Sequence, residues 1–144
     1  MFENLRIKMN VKMVLRDKYG KTKTIRSVHN TVTTAGKNGI CAQILGTPDL
    51  NKCTHMAVGT GTPAANALGA EVASSRTAFD SKLRTNNVIT IITTFDSGVG
   101  TGTLIEAGLF DAASSGNMWA STTFDAVIKT ADDAYVVTWT LTVE

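Results

Sequence analysis

The run YVVTWTLTV at residues 135–143 alternates without a break: Tyr135, Val137, Trp139, Leu141 and Val143 fall on one face, Val136 and three threonines on the other. Side chains alternate between faces with period two only in an extended strand, so this run is a half-buried strand and not a helix. The segment IKMNVKMVL at 7–15 repeats the pattern, with Ile7, Met9, Val11 and Met13 on one face. RDKYG at 16–20 offers Asp17 and Gly20 as turn formers, and KTKTIRSVH alternates again, so residues 7–29 read as a hairpin. Threonine supplies 22 of the 144 residues, which favours strands over helices.

Residues 34–45, TAGKNGICAQIL, form the one helix candidate. Ile40, Cys41, Ile44 and Leu45 make its apolar stripe, Thr34 is the expected cap and Gly46 the expected stop. Gly36 and Gly39 weaken it by about 1 kcal/mol each. HMAVG at 55–59 reads as a short strand entering the Gly-rich loop GTGTPAANALG, and ALGAEVASSR at 67–76 as room for one helical turn. RTAFDSKL and NVITIITTF read as two strands around the turn Arg84–Asn87. TLIEAGLF, MWASTTF and the C-terminal run supply three more, with turns at DSGVGTG, DAASSGN and Asp132–Asp133. Pro48 and Pro63 both fall in loops. Residues 1–144 therefore read as a single domain, mainly β: an antiparallel β-sandwich or jelly-roll-like barrel of about eight strands with one short helix.

A hydrophobic fraction of 43% is enough for a core. No run approaches the roughly 18 apolar residues of a membrane span, and MFENLRIKMN lacks a secretory core, so synthesis is expected in a cytoplasm. The net charge of +2 is unevenly spread. Residues 1–26 hold eight basic residues and two acids, net +6; the remainder holds six and ten, net −4. Such a polarised molecule can stack head-to-tail or dock on an acidic surface, or simply carry one solvated basic strand face. Nucleic-acid binding is the weakest reading, because the basic segment carries only Phe2 and Tyr19 as aromatics.

Enzymatic chemistry finds little support. GTGTPAANALG lacks the Lys-Ser/Thr of a phosphate loop, and Gly59 and Gly61 are followed by Ala64 where a dinucleotide fingerprint needs glycine. His29 and His55 are the only histidines, and Cys53 with His55 is too close a pair for a structural zinc site. No nucleophile motif surrounds Cys53, Ser74 or Ser75. No cofactor is called for. Glu106 lies among apolar neighbours, and a buried acid needs a partner. Arg76, just after the long loop, is the expected one, giving an ion pair that holds loop to sheet; a catalytic carboxylate pair drawn from Glu71, Glu106 and Asp111 is the alternative. Trp119 is the sole candidate for a displayed glycan-binding aromatic, with core packing as its other reading.

The stretches HNTVTTAGKNGI, HMAVGTGTPAANALGAE, TLIEAGLFDAASSGNMWASTTF and VTWTLTV, in that order, resemble a family of small tailed-bacteriophage virion proteins. The resemblance spans about residues 7–143. It implies a non-enzymatic structural protein of the virion: a capsid decoration or cement protein that stabilises the shell, or else a tail, collar or baseplate accessory protein or fibre attachment module. The implied partners are the major capsid protein or other virion proteins. A homo-oligomer is expected, a trimer if it decorates a shell. No membrane is implied.

Within that reading Lys8, Lys12, Lys21 and Lys23 on the basic hairpin are the interface candidates. Cys41, on the apolar stripe, is expected to be buried, and Cys53, in the polar stretch LNKCTH, exposed. Three states stay open for them: a bridge between the two, a bridge from Cys53 to a neighbouring subunit, or two free thiols.

Overall fold

The computed structural model describes residues 4–46 and 52–144. The loop expected around Pro48, and the start of LNKCTH, lie outside them. The described residues form β1 (Ile7–Arg16), β2 (Thr22–His29), β3 (Thr31–Val32), α1 (Thr34–Leu45), β4 (His55–Gly59), β5 (Thr77–Ala78), β6 (Ser81–Thr85), β7 (Val88–Phe95), β8 (Gly102–Phe110), β9 (Met118–Lys129) and β10 (Ala134–Val143). Two antiparallel five-stranded sheets result, ordered β2-β1-β10-β7-β6 and β3-β9-β8-β4-β5. The expected β-sandwich with one short helix is the fold. The ten strands exceed the eight expected because β3 and β5 are only two residues long, and because RTAFDSKL is not one strand. It breaks at Phe79–Asp80, where the chain leaves the second sheet for the first.

The alternating runs sit at the centre of the first sheet. β1 pairs with β10 in unbroken register from Ile7↔Val143 to Arg16↔Ala134. Arg6 and Glu144 exchange backbone hydrogen bonds just beyond it, each 2.8 Å. Met9, Val11, Met13, Leu15, Tyr135, Val137 and Trp139 face inward and meet Met56, Val58, Leu104, Ala107, Leu109, Ala120 and Val127 of the other sheet. Burying such side chains stabilises by roughly 1.5–3 kcal/mol each, relative to leaving them in water.

A second, smaller core lies on the outer face of the second sheet, where Leu68 of the long loop covers Ala57, Phe110 and Met118. No helical turn forms in 67–76; the loop lies flat on the sheet instead, through a bridge between Gly59 and Glu71.

The helix forms where expected but turns a different face inward. Its cap is Thr33, whose hydroxyl oxygen accepts from Gly36 N at 3.0 Å, and Gly46 ends it in the left-handed region, at φ 68°. Gly36, Gly39 and Ala42 are its buried residues. Ile44 and Leu45 are 76% and 79% exposed, and Cys41 is exposed as well. The cause is close approach to β9: a side chain at Gly36 would run into the backbone carbonyl of Trp119, and one at Gly39 into its indole ring. Small residues, not apolar ones, therefore mark the packed face.

Candidate functional site

Two features stand out: a long loop clasped by buried charges, and an open sheet face. The clasp centres on Glu106, which is fully buried. Leu104 and Ala107 both enter the main core, three residues apart, because a register shift between Leu104 and Glu106 interrupts the alternation of β8. Glu106 is thereby placed on the outer side, under the loop. Its Oε1 accepts from Gly61 N at 3.0 Å and Ala70 N at 2.8 Å, and its Oε2 from Gly69 N at 2.9 Å. Backbone packs closely here: a Cβ at Gly69 would strike Thr62 O, and one at Gly59 the Glu106 carboxylate.

The expected Arg76–Glu106 pair is therefore not formed. Three peptide N–H groups satisfy Glu106, and Arg76 is drawn to Glu71, five residues away. Its Nε and Nη2 donate to the Glu71 carboxylate at 3.0 and 2.8 Å. Its Nη1 donates to Ala112 O and Ser115 O at 2.9 and 3.0 Å, and the guanidinium lies 3.6 Å above the Phe110 ring. This planar fork ties the end of the loop to the β8–β9 turn, a task a lysine could not perform. Asp111 fixes the same turn by accepting from Asn117 N at 2.7 Å and Asn117 Nδ2 at 3.1 Å. Glu71, Glu106 and Asp111 are thus each committed to a structural partner.

The basic hairpin divides. Lys8, Lys12 and Lys21 are exposed. Lys23 instead donates to Asp133 Oδ2 at 2.8 Å. Asp133 also accepts from Thr130 N and Oγ1, both at 2.9 Å. The hydrogen bond from Lys23, then that from the Thr130 backbone, holds the Asp133 carboxyl down to about 2. A depressed carboxyl stabilises the fold above its unfolded value near 3.9, and that contribution is lost as pH falls through about 2. Asp133→Asn should consequently flatten the acid limb of the stability curve between those values; urea midpoints measured across that range would show an unaltered limb if the Lys23–Asp133 contact were idle.

Lys129 carries no burial signal in the sequence, yet it is 1% exposed, with its ammonium donating to Asp96 O at 3.0 Å. Burial lowers its pKa, while Asp133 and Asp96 act in the opposite direction.

The cysteine expectations are reversed. Cys53 packs against the main core, and burial, with Asp111 adding to it, pushes its thiol up to about 12; Cys41 is the exposed one. Both are free, and no bridge joins them. Because the thiolate is the reactive form, a maleimide should label Cys41 within minutes and Cys53 only on unfolding. Equal labelling of both in the folded protein, read by intact mass, would contradict this burial. Trp119 lies against Gly39 under α1, so it is not a displayed aromatic. Among the described residues no group of three or more His, Cys, Asp or Glu gathers as metal ligands, and no helix is long and apolar enough to cross a membrane.

The open face belongs to the first sheet. Register places Lys8, Asn10, Lys12, Val14 and Arg16 of β1 on it. Beside them lie Ile25, Ser27 and His29 of β2, and Val136, Thr138, Thr140 and Thr142 of β10. Beyond β10 it continues through Val88, Thr90, Ile92 and Thr94 of β7 to Ser81, Leu83 and Thr85 of β6.

Comparison with protein-family models, with curated proteins and with solved structures finds no match for this chain.

Proposed function

We propose that this chain is a non-enzymatic structural protein of a bacteriophage virion, a capsid decoration or cement protein that stabilises the shell by binding its assembled surface. The observation that carries the reading is the fastening of the molecule's loops. Glu106, Arg76, Asp111 and Asp133 each hold a loop or turn to the sandwich through backbone groups. The acids and the arginine that could have formed a reactive cluster are thereby engaged in making a rigid block with one broad sheet face left open. Rigidity of that kind suits a subunit whose task is to bind and stay, since little ordering entropy is lost on docking. The order of motifs from HNTVTTAGKNGI to VTWTLTV supports the same reading.

Particles produced by the genome that encodes the chain test it. A stained gel of purified particles should show the chain at hundreds of copies; a dozen or fewer would move it to the tail, and its absence would refute a virion role. Shells lacking the chain should also lose heat tolerance, and unchanged tolerance would count against cementing.

A further inference from the structure

The five strands of the first sheet contain Lys8, Lys12, Arg16, Lys23, Arg26, Lys82 and Arg84, and no Asp or Glu. That is half of the 14 basic residues of the chain and none of its 12 acids. Four of the seven are not free on the open face: by register Lys82 and Arg84 of β6 fall on the sheet's other side, with Arg84 Nη1 donating to Asn86 O at 2.8 Å, and two more are occupied at the margins. Lys23 is paired with Asp133, and Arg26 reaches across to the carbonyls of Asp125 and Ala126 on β9, both at 3.4 Å. Lys8, Lys12 and Arg16 remain in line down β1, on the open face, all exposed. Four residues of strand separate each from the next, about 13 Å.

The rest of that face is unlike an ordinary solvated sheet. From β10 across β7 to β6 its eleven outward residues are Val136, three threonines, Val88, Thr90, Ile92, Thr94, Ser81, Leu83 and Thr85, with no charge among them. A protein surface that meets only water carries about 25–35% charged residues. Leu83 and Ile25 are 62% and 54% exposed at its two sides. A row of spaced cations beside a flat, uncharged, β-branched field describes a surface made for a partner.

We propose that this open face of the first sheet, rather than the basic hairpin alone, is the docking surface, and that it takes an acidic protein surface presenting carboxylates opposite Lys8, Lys12 and Arg16 and a flat apolar patch opposite β10 and β7. The proposal rests on the virion reading and gives its contact a location and a chemistry. A second copy meeting face to face is the wrong occupant, because its own first sheet has no acid to answer the cations. Duplex nucleic acid also fits poorly. It carries a charge every ~1.7 Å of axis, far denser than cations about 13 Å apart; a single strand, whose bases are open, finds no aromatic in the uncharged field to stack on.

Size sets the mode of binding. Five strands about 4.8 Å apart and four rows about 7 Å apart make a patch of roughly 670 Å². A stable pairwise complex buries about 800 Å² on each side. One such contact is weak, and it holds when many are presented on a repeating surface or when neighbouring copies add to it.

Lysine acetylation of the particle-bound and the free protein tests the assignment. Lys8 and Lys12 should be protected about tenfold on particles by desolvated pairing, whereas Lys37 on α1 stays as reactive as in the free chain. The double reversal Lys8→Glu/Lys12→Glu should lower particle occupancy about tenfold through like-charge contact, with an unchanged melting temperature. Thr140→Glu, in the uncharged field, should act likewise. Chain present on particles with Lys8 and Lys12 still fully labelled would overturn the docking face and leave the virion reading standing; absence of the chain from particles would overturn both. Retention of the free protein on a short duplex DNA at physiological salt, lost in the double reversal, would assign the face to nucleic acid and overturn the proposal.

Discussion

Replacing Glu106 by leucine is expected to cost about 4 kcal/mol of folding stability. Hydrogen bonds to a charged group contribute roughly 1.5–3 kcal/mol each, and a buried donor left without a partner costs about 1–3 kcal/mol. Glu106 accepts three, from Gly61, Gly69 and Ala70, all from peptide N–H groups. Leucine fills much of the volume and keeps the apolar contact, so the loss isolates the acceptor. Glu106→Gln should cost less, about 2 kcal/mol, because one oxygen survives while its amide N–H₂ must face a peptide N–H, donor against donor. The damage should be local first. Residues 60–70 lie on the sheet through this carboxylate, Leu68 and Asn66, whose Oδ1 accepts from Met118 N at 3.1 Å, so with the first of these gone limited proteolysis should cut there before the sandwich opens. A leucine variant that matches the parent in urea midpoint and resists cleavage in the loop would show that the carboxylate does not anchor it.

Why this clasp was only half legible in the sequence follows from its chemistry. Glu106 within TLIEAGLF announces a buried acid, and the need for a partner is sound. The sequence offers Arg76 as the cation for it, but the groups that answer are the backbone N–H groups of Gly61, Gly69 and Ala70, which carry no charge signal. The register shift that turns Glu106 outward is equally silent, since it depends on how β9 runs opposite Leu104. Arg76 ties the end of the loop to the β8–β9 turn and not to Glu106. It does so through Glu71 and two carbonyls, since Glu71 is nearer along the chain and partly exposed, so less desolvation opposes the pair.

Strict alternation, by contrast, was sufficient for β1 and β10, because period two has one structural meaning. It failed at RTAFDSKL, where apolar spacing continues smoothly while the backbone changes sheets at Phe79–Asp80. The open face shows the same division. The Thr-rich side of β10 could be read from the sequence as a surface for solvent or neighbours. That β7 and β6 extend it without a charge depended on strand order, which pairs segments more than forty residues apart.

Gly36→Ala is expected to destabilise by about 2 kcal/mol, although helix propensity alone favours alanine over glycine by about 1 kcal/mol. The two effects oppose each other, and geometry decides between them. A methyl at Gly36 would land on the backbone carbonyl of Trp119, which cannot swing aside, with Val32 Cγ1 only 3.1 Å away. Overpacking a fixed backbone costs about 1–3 kcal/mol and sometimes more, so α1 must lift from β9 and loosen its cap on Thr33. Gly39→Ala meets the indole ring instead, and the ring can shift, so its penalty should be smaller. Asn38→Ala supplies the control: the residue is exposed on the same helix, and the change should stabilise by a few tenths of a kcal/mol through propensity alone. Melting followed by Trp fluorescence and by far-ultraviolet dichroism reads both the indole environment and the helix. If Gly36→Ala raises the melting temperature as Asn38→Ala does, the helix does not rest on the Trp119 backbone, and its buried face must be sought on Ile40 and Ile44, where the apolar residues of the sequence stand.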